Sequence, residues 1–332
     1  MIVGVGVDGR YGFSADEHTQ IARSAAALGF ASLWTNAVTI PDAFHVCARW
    51  AEAAAGRLRT GISVVNALNW MPQSLAGQAA TVSLLSGGRF TLGIGTGGAG
   101  VAQRPIATMA DYLAVLRPLL DGEEVVYRGR TMDLDRFRVA GRFPPVPVYL
   151  AALGPQMLRL AGRAADGAAL SFATPAEIAR ASALVGEAAR AAGRDRGDVA
   201  LSMYVRVCID ADAGRARHAF AANVLGYALA RPGTDKRLAY RGLFARMGYD
   251  EVLSDLEARR ERGAAIDELA RRAPDEMLHA VGYFGTAEGA ARRFATLSAG
   301  LDETIVRYIA ARPGIEPLLA AMDTLAPARI LA

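Results

Sequence analysis

Glycine strings that could hold a phosphate are the clearest chemical feature of the sequence. The pattern G-x-G-x-x-G occurs twice, at residues 4–9 and 93–98. In a dinucleotide-binding fold, this pattern follows a strand and opens a helix whose N-terminus meets the phosphate. Only three residues precede the first copy, and residues 99–105 separate the second from its helix, so neither copy fits a dinucleotide site. Gly95-Thr96-Gly97 still lies at a predicted strand end, where backbone N–H groups and a hydroxyl could cradle an anion; a flexible turn is the alternative.

Other reactive residue types show no arrangement that predicts a metal site or a nucleophile. The four histidines are isolated in sequence and lack metal-ligand spacing. Only His18, close behind the first strand, could reach a site at the strand ends. Cys47 and Cys208 are predicted to be packed thiols. The sequence contains neither a Gly-x-Ser-x-Gly elbow nor a Walker loop.

The elements that must position these residues alternate between strand and helix. The predicted strands are residues 2–7, 31–35, 59–65, 90–95, 147–152, 168–172, 201–209 and 304–309. Eight such units within 332 residues predict an α/β protein, a single (β/α)8 TIM barrel over 1–332, whose chemistry belongs at the carboxyl ends of its strands. A polar helical stretch at about 231–280 predicts an insertion after strand seven, and a small hairpin is expected around Gly129. A doubly wound open sheet is the alternative.

Composition excludes several classes of protein. The chain is 52% hydrophobic and 21% charged, which is typical of a folded globular protein. Two cysteines cannot form a disulfide scaffold, and no apolar run of about 18 residues predicts a transmembrane helix. A net charge of +4 is too small to indicate nucleic-acid binding. The N-terminus lacks a signal-peptide pattern, so we expect a cytoplasmic protein with neither a membrane nor a nucleic-acid partner.

Several motifs, in order along the chain, resemble one superfamily. Residues 85–97, LSGGRFTLGIGTG, closely resemble the "LSGGRF-lGlG-G" signature of the bacterial luciferase-like flavin enzymes. Further segments resemble that superfamily: 29–34, 57–66, 147–154, 161–167, 285–288 and 299–303. The superfamily includes coenzyme F420-dependent reductases and dehydrogenases and FMN-dependent monooxygenases, and this chain resembles the methylenetetrahydromethanopterin reductase-like branch. The resemblance implies a barrel that binds a flavin or deazaflavin at the carboxyl ends of its strands.

The resemblance also implies a set of cofactor-binding positions. In the F420-dependent branch the cofactor ring rests against a bulge in strand three that contains a non-proline cis peptide, and the matching bond is Ser63–Val64. Asn66 matches the asparagine just after that bulge, where its amide could contact the ring or brace the loop. The cofactor phosphate would be held where strands four and five end. The matching residues there are Gly95, Thr96, Gly97, Ala152, Leu153 and Gly154.

Two positions depart from the pattern of that superfamily. Many F420-dependent members carry aspartate at the end of strand two, where this chain has Asn36. Some place glutamate just after strand four, where this chain has Gly98 and Ala99. An asparagine can hold a carbonyl or a cofactor edge by hydrogen bonds but is no general acid near neutral pH. Asn36 is therefore predicted to bind the cofactor, no proton donor is assigned, and dehydrogenation of a sugar phosphate is disfavoured.

The resemblance implies an F420-dependent oxidoreductase that transfers a hydride between C5 of the deazaflavin and a small organic substrate. F420 is preferred to FMN because of the branch that the chain resembles. The arginine-rich, nearly lysine-free composition also indicates GC-rich, actinobacterial coding. Two alternatives stay open: an FMN-dependent monooxygenase served by a partner flavin reductase, and a non-catalytic protein that binds F420 or a flavin. We expect a homodimer and no metal.

Overall fold

A computed structural model describes residues 1–37, 42–97 and 104–331 of the chain. The strands are β1 (Ile2–Val7), β2 (Ser32–Thr35), β3 (Arg59–Asn66), β4 (Phe90–Gly95), β5 (Val125–Arg128), β6 (Asp133–Phe137), β7 (Val148–Ala151), β8 (Gly167–Ser171), β9 (Ala200–Ile209), β10 (Gly282–Gly285) and β11 (Glu303–Tyr308). The helices are α1 (Ala15–Ala27), α2 (Ala43–Ala53), α3 (Pro72–Leu85), α4 (Pro105–Leu120), α5 (Pro155–Ala164), α6 (Pro175–Ala191), α7 (Ala213–Ala228), α8 (Ala239–Phe244), α9 (Asp250–Glu261), α10 (Ile266–Arg272), α11 (Asp275–Val281), α12 (Ala290–Leu297), α13 (Glu316–Thr324) and α14 (Pro327–Ile330). Among these described helices, none combines the length and the apolar character needed to cross a membrane.

Nine of the strands form one parallel sheet that closes on itself. The order is β10-β9-β11-β1-β2-β3-β4-β7-β8, and β8 also pairs with β9 to complete the ring. The eight strands of the ring are those predicted from the apolar runs. The prediction of a (β/α)8 TIM barrel is therefore confirmed, and the doubly wound open sheet is excluded. β5 and β6 form the antiparallel hairpin expected around Gly129.

The strand that the sequence pattern missed is β10. Gly282–Gly285 pair with residues 206–209 of β9, on the side where β8 pairs with residues 200–204. The strand is four residues long and has glycine at both ends, which leaves only two side chains to carry a β-rich pattern. β10 follows directly after the helices α8 to α11 and ties them to the barrel wall.

The helices α8 to α11 occupy most of the predicted insertion, together with a π-helical turn at Ala245–Tyr249. They pack with α7 in a hydrophobic cluster that also includes Phe172, the residue directly after β8. Inside this cluster Arg241 donates a hydrogen bond to Glu257 at 2.9 Å, and both side chains are buried. The helical insertion is therefore fastened to the carboxyl end of the barrel near β8 and β9.

Side chains fill the barrel interior below the carboxyl ends of the strands. Trp34, Tyr149, Tyr204 and Ile305 form a hydrophobic cluster inside the ring. Towards the amino-terminal end, the buried Glu303 accepts hydrogen bonds from Ser32 Oγ (2.5 Å) and Trp34 Nε1 (2.9 Å). Glu303 also forms an ion pair with Arg59. Packed layers of this kind are usual in barrels of eight strands, and the residues predicted to bind a cofactor lie at the other end.

Candidate functional site

The predicted phosphate-binding residues meet where neighbouring strands end. β3 pairs with β4, which places Asn66 beside Gly95, and β4 pairs with β7. Ala151 is the last residue of β7, and Ala152, Leu153 and Gly154 follow it directly. Thr96 is half-buried, and Gly97 is exposed. The structure therefore brings the ends of β4 and β7 into one corner of the barrel mouth, which we call the glycine corner.

β3 carries the predicted bulge beside this corner. Its pairing with β4 shifts by one residue between Ile62 and Val65. The peptide bond between Ser63 and Val64 is cis, as the resemblance implied, and both residues are half-buried. A Cβ atom at residue 95 would lie only 3.1 Å from Cγ2 of Val64. Glycine at position 95 therefore lets the bulge approach β4 closely.

Gly97 sets the direction of the turn after β4. Its φ is +75°, in the left-handed region that residues with a side chain disfavour. A Cβ atom at this position would also lie 2.7 Å from Asn66 Nδ2. The side-chain oxygen of Asn66 accepts a hydrogen bond from the Leu68 N–H at 3.2 Å. Asn66 therefore caps the turn after β3 and lies beside the turn after β4.

The β7 side of the glycine corner ends at the start of α5. Gly154 is the N-cap residue, and no side chain caps the helix. The N–H groups of Gln156 and Met157, in the first turn, have no acceptor within the helix, and they add to the positive end of its dipole. Arg246, from the π-helical turn, donates a hydrogen bond to the Leu153 carbonyl at 2.9 Å. Glycines, backbone N–H groups, a hydroxyl and a guanidinium form a donor set that fits a phosphate.

Asn36 lies in a separate polar network at the ends of β1 and β11. Its Oδ1 accepts hydrogen bonds from the Gly9 N–H and from Arg307 Nη2, each at 3.2 Å. Arg307 also donates to Asp8 at 2.6 Å, and Arg10 donates to the same carboxylate at 2.7 Å. Burial alone would raise the pKa of Asp8, but hydrogen bonds and charges from Arg10 and Arg307 hold that pKa well below its usual range. Asp8 is therefore a permanent anion rather than a proton donor.

A second buried guanidinium, that of Arg206, lies beside Arg307. The two residues are paired across β9 and β11. Arg206 Nη1 donates a hydrogen bond to Ser171 Oγ at 3.0 Å. The Arg206 Cζ atom lies 3.4 Å from the ring centre of Phe172, close enough for a cation–π interaction. Burial lowers the pKa of Arg206 from its ordinary value, but a guanidinium remains charged at neutral pH.

Tyr227 of α7 contacts Arg10 and Arg206. Arg10 Nη2 donates a weak hydrogen bond to its Oη at 3.5 Å, and the Arg206 guanidinium lies 5.0 Å from its ring centre. Burial alone would raise the pKa of Tyr227, but the positive charges of Arg206, Arg307 and Arg10 bring it below its ordinary value. A phenol with a lowered pKa at a barrel mouth is a candidate for moving a proton.

The remaining sequence candidates lie elsewhere. His18 is buried in the contact between α1 and α2, with its ring centre 5.6 Å from that of Trp50. Cys47 and Cys208 are buried thiols, as predicted, and burial raises their pKa. The positions of Gly98 and Ala99, where the superfamily pattern would place glutamate, lie outside the described residues.

The charged residues at the mouth were not among the sequence candidates, although the sequence holds a signal for two of them. Arg206 and Arg307 each interrupt an apolar strand, in residues 201–209 and 303–308. Strands of a parallel barrel are covered by helices on the outside, and arginine is rarely buried without a partner. An arginine within such a strand is therefore expected to point into the barrel.

Together, the fold and the site define an α/β barrel with a bulged third strand and the glycine corner at the carboxyl ends of its strands. This combination is typical of the oxidoreductases that bind a flavin or deazaflavin. The family described as luciferase-like monooxygenase matches residues 3–303, and the chain belongs to that family. The resemblance identified from the motifs is thereby confirmed.

Individual relatives are more distant. The chain is similar to a 5,10-methylenetetrahydromethanopterin reductase of Archaeoglobus fulgidus, at 26% identity over 75% of this chain and 76% of that protein. It is 30% identical to an F420-dependent glucose-6-phosphate dehydrogenase of Kineococcus radiotolerans, over 50% of this chain and 54% of that protein. The chain thus spans only about half the length of several relatives. The structure of the coenzyme F420-dependent tetrahydromethanopterin reductase from Methanopyrus kandleri has the same fold, with a TM-score of 0.78 and 18% identity over 98% of this chain and 97% of that one.

Proposed function

We propose that the protein is a coenzyme F420-dependent oxidoreductase that transfers a hydride to or from a small organic substrate. The observation that carries this proposal is the glycine corner beside the bulge of β3, bounded by the uncapped start of α5. F420-dependent enzymes among the relatives favour a deazaflavin over a flavin. When bound, the cofactor would supply hydride chemistry at C5, and the protein would supply binding and orientation.

Each part of the site has a separate task in this proposal. Thr96 and the backbone of Gly95 and Gly97 would hold the cofactor phosphate, together with the start of α5. The half-buried Ser63–Val64 bulge would support one face of the ring. The Oδ1 of Asn36 is engaged by Gly9 and Arg307, which leaves its amide nitrogen to hold a carbonyl of the cofactor or substrate.

Proton transfer in this scheme is assigned to Tyr227 Oη. Its pKa is lowered by the surrounding guanidinium groups, whereas the Asp8 carboxylate stays ionised. A phenol whose phenolate form is stabilised by nearby cations can give and recover a proton in one catalytic cycle. Tyr227 therefore fills the role for which the sequence provided no candidate.

An FMN-dependent monooxygenase that receives reduced flavin from a partner reductase is the second candidate. The observation in its favour is the family itself, which is described by monooxygenase chemistry. The glycine corner suits either cofactor because both carry a phosphate. Only direct comparison of the two cofactors separates these candidates.

The test is titration of the cofactor-free protein with F420 and with FMN separately, followed by fluorescence quenching. We expect micromolar binding of F420 and weaker binding of FMN. The reverse preference would favour the monooxygenase, and binding of neither cofactor would overturn the proposal. Tight binding without turnover over a broad substrate panel would favour a non-catalytic binding protein.

A matched pair of glycine variants tests whether the cofactor uses the glycine corner. Gly97→Ala forces a left-handed alanine, at a cost of about 1–2 kcal/mol, so the binding-competent turn is populated less and affinity should fall about tenfold. Gly77→Ala in α3 is the control, because a Cβ atom there meets no neighbouring atom within 4 Å. Equal affinities for both variants would contradict the assignment of the phosphate to this corner.

A further inference from the structure

The buried arginines of β9 and β11 form a cationic wall on one side of the barrel mouth. Arg206 and Arg307 are 4% and 5% exposed, respectively. Both point inwards, because Arg206 shares a strand face with the interior Tyr204, and Arg307 lies 4.9 Å from the ring centre of Tyr204. In the ring order, β9 lies four strands from β3 in either direction. The wall therefore faces the bulge of β3 across the mouth.

The charges of this wall are not balanced by the protein. Asp8 is shared by Arg10 and Arg307, and Arg206 forms no salt bridge with any described carboxylate, although it is buried. The residues outside the described ranges, 38–41, 98–103 and 332, include no aspartate or glutamate side chain. One carboxylate thus stands among three guanidinium groups.

The guanidinium groups of the wall also have hydrogen-bond donors without a protein acceptor among the described residues. Nη1 of Arg307 is buried and has no hydrogen-bond partner among the described residues. Among the described residues, the side chain of Arg206 donates a hydrogen bond to a neutral hydroxyl, that of Ser171. Removing a guanidinium from water without a counter-charge is costly, and arginine is a preferred residue for binding carboxylates and phosphates.

The backbone beside Arg206 is strained at Phe172. Phe172 has φ of +57°, which is unusual for a bulky residue and costs about 1–3 kcal/mol. This conformation lays its ring against the Arg206 guanidinium. Strain of this kind at the end of a barrel strand is characteristic of a binding site.

We propose that Arg206 and Arg307 together bind an oxyanionic group of the substrate, a carboxylate or a phosphoryl group. The assignment of this anion to a substrate rests on the proposed function. With the cofactor at the glycine corner and the bulge, the two guanidinium groups would hold the acidic end of the substrate on the opposite side of the mouth. The substrate class is therefore organic acids or phosphate esters rather than neutral ketones or alcohols.

The test uses the full-length protein without cofactor, titrated with acetate, inorganic phosphate or the neutral acetamide at constant ionic strength in chloride. Binding is measured by the shift in Tm and by calorimetry. We expect saturable binding of acetate or phosphate, with the preferred anion identifying a carboxylate or a phosphoryl group, and no response to acetamide. Absence of any response to either anion beyond that of acetamide would overturn the proposal.

Variants locate the anion. Arg206→Gln and Arg307→Gln should each weaken anion binding at least about tenfold, whereas Arg237→Gln should bind as the wild type does. Arg237 is a suitable control because its side chain is 88% exposed and, among the described residues, pairs with Asp235 alone. Unchanged anion binding in both wall variants would overturn the proposal, since the anion would then lie elsewhere.

Thermal stability separates a binding role from a structural one. Arg206→Gln removes a charge that has no counter-charge in the protein, so its Tm in chloride buffer should equal or exceed that of the wild type. A large loss of Tm would instead show that Arg206 serves the fold, and would contradict the proposal. Cofactor titration is independent of these measurements: F420 binding without anion binding refutes this inference alone, whereas anion binding without F420 or FMN binding refutes the proposed function.

Discussion

Replacing Asp8 by asparagine should destabilise the protein far more than the same change at another buried aspartate. Asp8 and Arg307 are joined at 2.6 Å, and their side chains are only 7% and 6% exposed. An asparagine would keep the shape of the side chain but leave Arg307 buried without a carboxylate. Removing one partner of a buried ion pair costs about 3–5 kcal/mol.

The size of this effect depends on whether the arginine left behind can reach water. Asp210 is the matched control, since its side chain is 4% exposed and binds Arg312 at 2.7 Å through both oxygens. The side chain of Arg312 is 48% exposed, so it can recover hydration when the carboxylate is neutralised. Asp210→Asn should therefore cost much less than Asp8→Asn.

Thermal and urea unfolding in chloride buffer measure both variants. At about 2 °C per kcal/mol for a large domain, Asp8→Asn should lower the Tm by about 6–10 °C. The double variant Asp8→Asn with Arg307→Gln should recover part of that loss, because it removes the stranded charge as well. Equal losses for Asp8→Asn and Asp210→Asn, or no recovery in the double variant, would refute the role given to burial.

Three further predictions concern proton transfer by Tyr227, the pH dependence caused by His18, and the buried Glu303 inside the barrel. Tyr227→Phe should lower turnover by about 100-fold or more while leaving F420 affinity unchanged. Tyr240→Phe is the control and should retain most activity, because burial raises the pKa of Tyr240. Equal turnover in the two variants would exclude the assigned proton transfer. Burial lowers the pKa of His18 from its ordinary 6.5, so the folded protein loses stability as the pH falls below 6.5. The decrease in Tm from about pH 7.5 to about pH 5 should therefore be smaller in His18→Leu. An unchanged pH dependence would contradict this explanation. Glu303→Ala removes the acceptor of the buried Ser32 hydroxyl and Trp34 indole N–H, as well as the partner of Arg59. Because two buried donors lose this acceptor, the substitution should cost about 3 kcal/mol in urea unfolding, and an unchanged midpoint would contradict this role of Glu303.

The barrel could be predicted because each strand carries its own signal. A strand covered by helices outside and packed inside is apolar along most of its length, and the runs that become β1, β4 and β9 are readable without any partner. β10 gives no such signal, since Gly282–Gly285 contributes only two side chains and depends on the edge offered by β9. Its place in the sheet is a property of the assembled barrel.

The site also contains residues that could be predicted from the sequence and residues that could not. Gly95 and Gly97 were predicted because glycine leaves a local mark wherever backbones must approach closely or turn. The network of Asp8 and Arg307 joins residues 299 positions apart, and the sequence contains nothing that pairs them until β11 closes the ring beside β1. Tyr227 becomes a candidate only when α7 places it over Arg206, because its altered pKa comes from charges on other elements.

The position of β10 makes the helical insertion a mechanical extension of the barrel. Its backbone ladder with residues 206–209 lies on the strand that also carries Arg206. Lifting α8 to α11 away from the mouth would therefore pull on the same strand that presents the cationic wall. In amide hydrogen exchange, the protection of residues 282–285 should follow that of β9 rather than that of a surface loop, so that the insertion and the barrel open as one cooperative unit.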